Sequence, residues 1–257
     1  MTPEVLNDLI RMTNRLGAPG NDYVILGEGN TSARAEGGAF WITSSGSELR
    51  TASNDTFVRV DLARALAMVD DRSLTDERTR EALIASKVDG APEPRPSVET
   101  PVHAVLLEAP GVNFIGHTHP TWINILTCST RFGAALTGRL FPDEIVLCGL
   151  APMLVPYIDP GVPLARIIRE HLARYRASFN TVPKVVLMQN HGLIALGATA
   201  QEVENITAMA VKAARVMVGT FALGGPSFMS ESDAQRIQHR LDEHYRQRVI
   251  EARAGRS

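Results

Sequence analysis

Residues 185–196 restrict the fold more than any other segment of the 257-residue chain. Two apolar runs, Val185-Val186-Leu187-Met188 and Leu193-Ile194-Ala195-Leu196, flank the polar stretch Gln189-Asn190-His191-Gly192. Runs this short, bounded by turn residues, predict a β-hairpin. Thr199-Ala200-Gln201-Glu202 follows as a capping box, opening a long Ala/Val/Met-rich helix to about residue 222. A second hairpin is predicted at 32–35 and 39–43, with Gly37-Gly38 at its turn. Strands joined by hairpins cannot all be parallel. The pattern predicts an α/β fold with a mixed, largely antiparallel sheet and helices on both faces.

The remaining elements follow from periodicity and breakers. Val5, Leu6, Leu9, Ile10 and Leu16 have helical spacing over 3–16, and Gly17 ends the run. A short strand is predicted at 57–60 and a helix at 75–88. The Pro-rich stretch 91–96 is an extended connector, because residues before Pro avoid the α region. Ser97 is expected to cap a helix over about 98–109, followed by a strand at 112–116 and a helix at 120–128. Segments 144–148 and 153–155 are short apolar strand candidates. A strong helix over 163–178 carries Leu164, Ile167, Ile168, Leu172 and Tyr175 on one face. A charged amphipathic helix over 230–253 opens at Ser230 or Ser232. One domain is expected over 1–257, with a C-terminal helical tail at about 228–257.

Charge and composition narrow the function. The formal net charge is −2, from 26 basic and 28 acidic residues, and no basic block interleaves with aromatics, which argues against nucleic acid. No apolar stretch approaches the ~20 residues of a membrane span, and the acidic N-terminus lacks the features of a signal peptide. Cys128 and Cys148 are too few for a disulfide framework and sit in apolar surroundings, so buried thiols and a cytoplasmic location are expected.

Chemistry concentrates in three histidines and a glutamate. His117 and His119 stand in Gly116-His117-Thr118-His119-Pro120, at the end of the apolar run 112–115, and Glu99 lies upstream. Alternate strand residues share a face, and two positions span roughly 6.6 Å, so both imidazoles can reach one ion. His191 on a neighbouring strand would complete three nitrogen ligands, leaving the open positions a catalytic divalent metal needs. Histidine is often only a partly buried polar residue. Against that stands the placement of these three, among 7 in the chain, at the ends of apolar, β-branched runs.

Five blocks, in order, make the chain resemble the class II aldolase/adducin family, the group containing fuculose-phosphate aldolase. They are Gly29-Asn30-Thr31-Ser32, Thr43-Ser44-Ser45-Gly46, Pro96-Ser97-Val98-Glu99 with His103 one turn later, His117-x-His119, and Asn190-His191-Gly192. The resemblance spans roughly residues 5–222. It implies a three-layer α/β/α sandwich around a mostly antiparallel sheet, and one divalent ion on His117, His119 and His191, zinc first, with manganese or cobalt in other members. It makes Glu99 the general acid/base and implies a homotetramer with sites near subunit interfaces. Asn30, Ser45, Gly46 and Ser97 match positions that hold a substrate phosphate in phosphate-using members, where clustered backbone amides and hydroxyls form an anion site.

Two departures matter. Ser97-Val98-Glu99 replaces a Ser-Ser-Glu, and valine donates no hydrogen bond, so a carboxylate becomes an alternative to a phosphate. The region matching the tyrosine proton donor of fuculose-phosphate aldolase reads Arg139-Leu140-Phe141-Pro142-Asp143-Glu144; Asp143 or Glu144 is the substitute on offer, and an exposed loop acid is the plainer reading. Tyr157 resembles a Pro-Tyr pair of the family and reads as structural. The resemblance implies a metal-dependent lyase acting on a small hydroxy-carbonyl substrate through an enediolate. The alternative is a decarboxylase of a keto or aromatic acid. Epimerase members carry Asp where Glu99 stands, and an adducin-like interaction module has no need of the histidine set.

Overall fold

The two predicted hairpins form the frame of the molecule. The structure, a computed structural model, describes residues 2–240. In chain order the elements are α1 (Thr2–Leu16), β1 (Asn30–Ala35), β2 (Ala39–Thr43), β3 (Phe57–Asp61), α2 (Leu62–Asp70), α3 (Asp76–Ala85), α4 (Thr100–Leu107), β4 (Phe114–Thr118) and α5 (Thr121–Thr127). Then come α6 (Pro142–Cys148), β5 (Met153–Val155), α7 (Val162–Phe179), β6 (Val185–Met188), β7 (Gly192–Gly197), α8 (Ala200–Phe221) and α9 (Glu231–Gln238). Among the described residues the strands form one seven-stranded sheet in the order β3-β2-β1-β4-β7-β6-β5. Every neighbouring pair is antiparallel except β5–β6.

Period-2 alternation sorts the sheet side chains into two cores. Phe40, Ile42, Ile115, Ile194 and Leu196 pack with α2, α4 and α7 on one face. Ala33, Phe114, Leu193 and Ala195 pack with α1, α5 and α8 on the other. This is the expected α/β/α sandwich. Helix α4 is buried at every position from Thr100 to Leu107, which explains why an apolar helix with no polar face is stable there. The same alternation decides which polar residues meet α4. Asn30 and Ser32 on β1, and His117 on β4, share the parity of the residues facing that helix, and Asn30 pairs with His117 across the strands.

Several sequence expectations are corrected. Segment 144–148 is not a strand but the body of α6, with Pro142 in its first turn and Ile145 and Cys148 buried three residues apart. The Glu144 carboxylate accepts the Leu140 N–H at 2.8 Å and pairs with Arg139 at 2.8 Å, tying the helix start together. Helix α2, capped by Asp61, was not predicted. Strand β4 begins two residues later than expected and includes His117. Helix α4 starts at Thr100, with Glu99 rather than Ser97 at its N-cap. Cys148 is buried, but Cys128 is exposed because it falls at the C-cap of α5. Ser230, not Ser232, caps α9; the predicted continuation beyond residue 240 lies outside the described residues.

Candidate metal centre

His117 comes from β4 and His119 from the residue pair beyond it, held by its backbone N–H on Tyr23 O at 2.8 Å. His191 sits in the β6–β7 turn, where Asn190 adopts a left-handed φ of 53°. Gly192 is required by a close approach: a Cβ there would lie 2.6 Å from Thr118 O and 2.8 Å from His119 Cδ2. Gly29 is required likewise, because at its φ of 72° a Cβ would lie 2.4 Å from His117 O.

The three rings meet edge to face, with centroids 4.7, 4.9 and 5.2 Å apart. One ligand atom from each lies within 4.8 Å of the others. His117 Nε2 and His119 Nε2 are 3.0 Å apart. Nitrogens bound to one ion at ~2.0–2.1 Å stand roughly 3 Å apart, so the spacing suits a shared cation. His117 Nδ1 donates to Leu193 O at 2.9 Å, which leaves its Nε2 lone pair directed at the other two rings. Glu28 Oε1 lies 3.8 Å from His119 Nδ1, near the second ring but beyond hydrogen-bond reach. The donor set fits a divalent metal.

Glu99 completes the cluster. Its Oε2 lies 3.2 Å from His117 Nε2 and its Oε1 3.4 Å from His191 Nε2. Although Glu99 is the N-cap residue of α4, its side chain makes no capping bond, so helix capping does not account for where the carboxylate points. Instead Asn30 Nδ2 donates to Oε2 at 2.7 Å. Burial pushes the Glu99 carboxyl up, but His117, His191 and Asn30 outweigh it and hold the group well below the usual carboxylate range. Burial opposes charge on the rings, lowering His119 to about 3 and His191 to about 4, with repulsion from His117 adding to it. Burial also disfavours charge on His117, yet Glu99 and the Leu193 carbonyl raise its pKa overall.

The remaining predicted residues surround this point unequally. Asn30 is buried, with both ends of its amide used inside the protein, by Glu99 and by His103. Ser97 is buried and its Oγ accepts the Glu99 N–H at 3.3 Å. Ser45 and Gly46 are exposed; Ser45 N donates to Arg95 O at 2.9 Å and Ser44 bridges Pro96, which sets that loop against the Pro96–Glu99 stretch. A cavity of about 500 Å³ faces Val98 and Ser45, walled by Leu83, Ile84 and Val162 and flanked by Arg80 and Arg95. A second, of about 390 Å³, opens beside His119 and Glu28, with Ile25, Ile125 and Cys128 on its walls. Glu144 is committed to Arg139 and Leu140, and Tyr157 is exposed, donating to Asp159 at 3.2 Å. Sequence reasoning missed Glu28 and Ser32. The i, i+2 spacing of Asn30 and Ser32 was the available signal for the latter.

Comparison with known proteins agrees with this architecture. The family model described as Class II Aldolase and Adducin N-terminal domain matches residues 7–218. A Bacillus subtilis (strain 168) protein named as an uncharacterized oxidoreductase, YuxG, is 28% identical over 209 residues, covering 77% of this chain and 27% of that protein. The chain thus spans about a quarter of that relative's length. The N-terminal class II aldolase domain of a Thermoplasma acidophilum protein superposes with a TM-score of 0.64 at 25% identity, over 82% of this chain and 92% of that one. The L-fuculose 1-phosphate aldolase of Glaciozyma antarctica PI12 has the same fold, with a TM-score of 0.64 at 16% identity, over 91% of this chain and 80% of that one.

Proposed function

We propose that this chain, which belongs to the class II aldolase and adducin family, is a divalent-metal-dependent lyase cleaving a C–C bond of a small hydroxy-carbonyl substrate. One observation carries the reading: a ring nitrogen from each of three histidines lies within 4.8 Å of the other two, and the Glu99 carboxylate, from a third chain segment, lies beside them. The ion that His117, His119 and His191 would hold, zinc first with manganese or cobalt as alternatives, supplies Lewis-acid stabilisation of the negative charge released by C–C cleavage. Glu99 is the general acid/base. It is ionised at neutral pH, buried beside the histidines and held by Asn30, and in that state it is the group placed to accept a substrate proton and give it back. Ser45, Gly46 and Ser97 hold the substrate's anionic end beside Val98.

A second reading is decarboxylation of a keto or aromatic acid. It is favoured by the cavity at Val98, where a valine replaces a hydrogen-bond donor and Leu83, Ile84 and Val162 form the walls, with Arg80 and Arg95 at the flank. Such a pocket suits a carboxylate carried on an apolar body. Assembly as a homotetramer with sites near subunit interfaces belongs to the same proposal. Supporting it, Ile25 and Ile125 on the wall of the His119 cavity are 62% and 43% exposed.

Elemental analysis of purified protein is expected to find about one divalent ion per chain, lost in His117→Ala. A fully folded protein that takes up no metal would remove the enzyme reading and leave the adducin-like module. With metal bound, a panel of phosphorylated sugars and keto acids separates the two chemistries, since aldehyde release marks the lyase and CO₂ release the decarboxylase. Glu99→Gln is expected to keep the metal and lose turnover.

A further inference from the structure

We propose that Ser32 and His103 are positioning residues that fix Asn30 as a one-way hydrogen-bond donor and thereby leave Oε1 of Glu99 as the oxygen that accepts the substrate proton. The proposal rests on the reading of Glu99 as general base. Four side chains form the device. Ser32 Oγ is 2.6 Å from His103 Nδ1, His103 Nε2 is in hydrogen-bond contact with Asn30 Oδ1, and Asn30 Nδ2 is 2.7 Å from Glu99 Oε2. Ser32 and His103 are fully buried, and Asn30 and Glu99 are 7% and 6% exposed.

Donor and acceptor rules fix the direction of the whole chain. An ionised carboxylate only accepts, so the atom of Asn30 facing Glu99 has to be its NH₂ group. The other end of the amide is then the carbonyl oxygen, which also only accepts, so His103 Nε2 carries a hydrogen. A neutral ring with Nε2–H has a bare Nδ1, and the Ser32 hydroxyl must donate to it. A charged His103 would instead donate from Nδ1 to the Ser32 hydroxyl, but complete burial of the ring disfavours that charge and keeps it neutral. Each bond therefore points the same way: Ser32 to His103, His103 to Asn30, Asn30 to Glu99 Oε2.

The fold supplies the registration. Asn30 and Ser32 are two apart on β1 and face α4; Glu99 and His103 are four apart at the start of α4 and face β1. The two pairs form rungs between a strand and a helix, with the His103–Asn30 contact as the diagonal. Since Oε2 is occupied by Asn30, the remaining oxygen, Oε1, has among the described residues no donor beside it other than the neighbouring His191 ring. In the transfer a substrate–H bond breaks, its electron pair stays on the substrate, and an O–H bond forms at Oε1. Losing the relay lets the carboxylate rotate without removing any group that touches metal or substrate.

The first test is a ¹⁵N-histidine NMR spectrum of the metal-loaded protein. It is expected to give His103 as the Nε2–H tautomer and His117 as the Nδ1–H tautomer; a His103 that is Nδ1–H or doubly protonated overturns the proposal. Turnover of the panel substrate is then compared in His103→Leu and His103→Gln. Leucine removes the donor and is expected to lower kcat about 10- to 100-fold with metal content and KM unchanged. Glutamine can donate to Asn30 and accept from Ser32, and is expected to restore most of it. Equal turnover in the two variants, or a leucine variant at wild-type turnover, overturns the proposal. Ser32→Ala serves where His103→Leu fails to fold: the His103 Nδ1 resonance is expected to move while the Nε2–H persists, and an unmoved Nδ1 resonance refutes the Ser32 link. Wild-type turnover in Glu99→Gln overturns the base assignment itself, and is told apart from failure of the relay because His103 then keeps its Nε2–H tautomer.

Discussion

His103 is fully buried, and its protonation is coupled to the stability of the fold. Burial lowers its pKa from an ordinary 6.5 to about 3. The unfolded chain therefore binds a proton at His103 below about pH 6.5 while the folded chain stays neutral down to about pH 3. Between those limits the unfolded state holds more protons, so stability falls as pH falls, by up to about 1.4 kcal/mol per pH unit for one such group. His119 and His191 act with the same sign in the metal-free protein. They are also present in a His103→Gln variant, so the comparison isolates His103. Urea midpoints of metal-free wild type and His103→Gln between pH 4 and 7 should converge towards low pH, with the variant less pH-sensitive. Parallel curves would mean that His103 titrates as an exposed ring. At this scale the sequence made His117, His119 and His191 legible, because two-residue strand periodicity and adjacent glycines are local signals, whereas Glu99 was legible only through the resemblance of the Pro96–Glu99 block to the family. The link from Ser32 to His103 was not legible, since it joins residues 71 apart and depends on β1 facing α4.

At the scale of elements, the same contrast between local and distant causes decides what could be read. The hairpin β1–β2 was legible from Gly37-Gly38 at its turn, and β6–β7 from two short apolar runs around Asn190-His191-Gly192. Helix α7 was legible from its one-sided stripe, and Leu164, Ile168, Leu172 and Tyr175 are buried as that stripe requires. Helix α6 was not. Ile145-Val146-Leu147-Cys148 is a four-residue apolar run in which a helix and a strand cannot be told apart by periodicity. What decides it is the partner of Glu144. Arg139, 6% exposed, spends its guanidinium on Glu144 and on the carbonyls of Cys148, Gly149 and Leu150. It thereby clamps both ends of α6. Breaking a buried pair by removing one partner strands the other charge, at a cost of about 3–5 kcal/mol. Glu144→Ala should lose stability in that range by chemical denaturation while metal content per folded chain is unchanged, because α6 contributes nothing to the histidine cluster. A loss below 1 kcal/mol would place Glu144 in the class of surface pairs, which contribute about that little.

At the scale of the whole molecule, the candidate metal centre lies where the layers are tied together. Strands β1, β4 and β7 are neighbours in the middle of the sheet, His117, His119 and His191 hang from β4 and β7, and Glu99 reaches them from the α4 layer. No segment of the unfolded chain holds these groups together, since residues 99, 117 and 191 are far apart in sequence. An ion on that set consequently binds the folded state in preference to the unfolded one, and its binding free energy adds to folding. At a free ion concentration one hundred times Kd the gain is about 2.7 kcal/mol. For a chain of this length each kilocalorie raises Tm by about 2–4 °C, so the expected rise is roughly 5–10 °C. Zinc titrated into chelator-stripped protein should raise Tm by that amount, and chelator should reverse it. His117→Ala discriminates between this centre and adventitious ions, because it deletes one ligand at the middle of the set and leaves the half-buried His171 and the exposed His239 in place. Its Tm should not respond to zinc. An equal rise in the variant would locate the stabilising ion elsewhere on the molecule. A wild-type Tm indifferent to zinc, manganese and cobalt alike would leave the convergence of the three rings without a ligand to explain it.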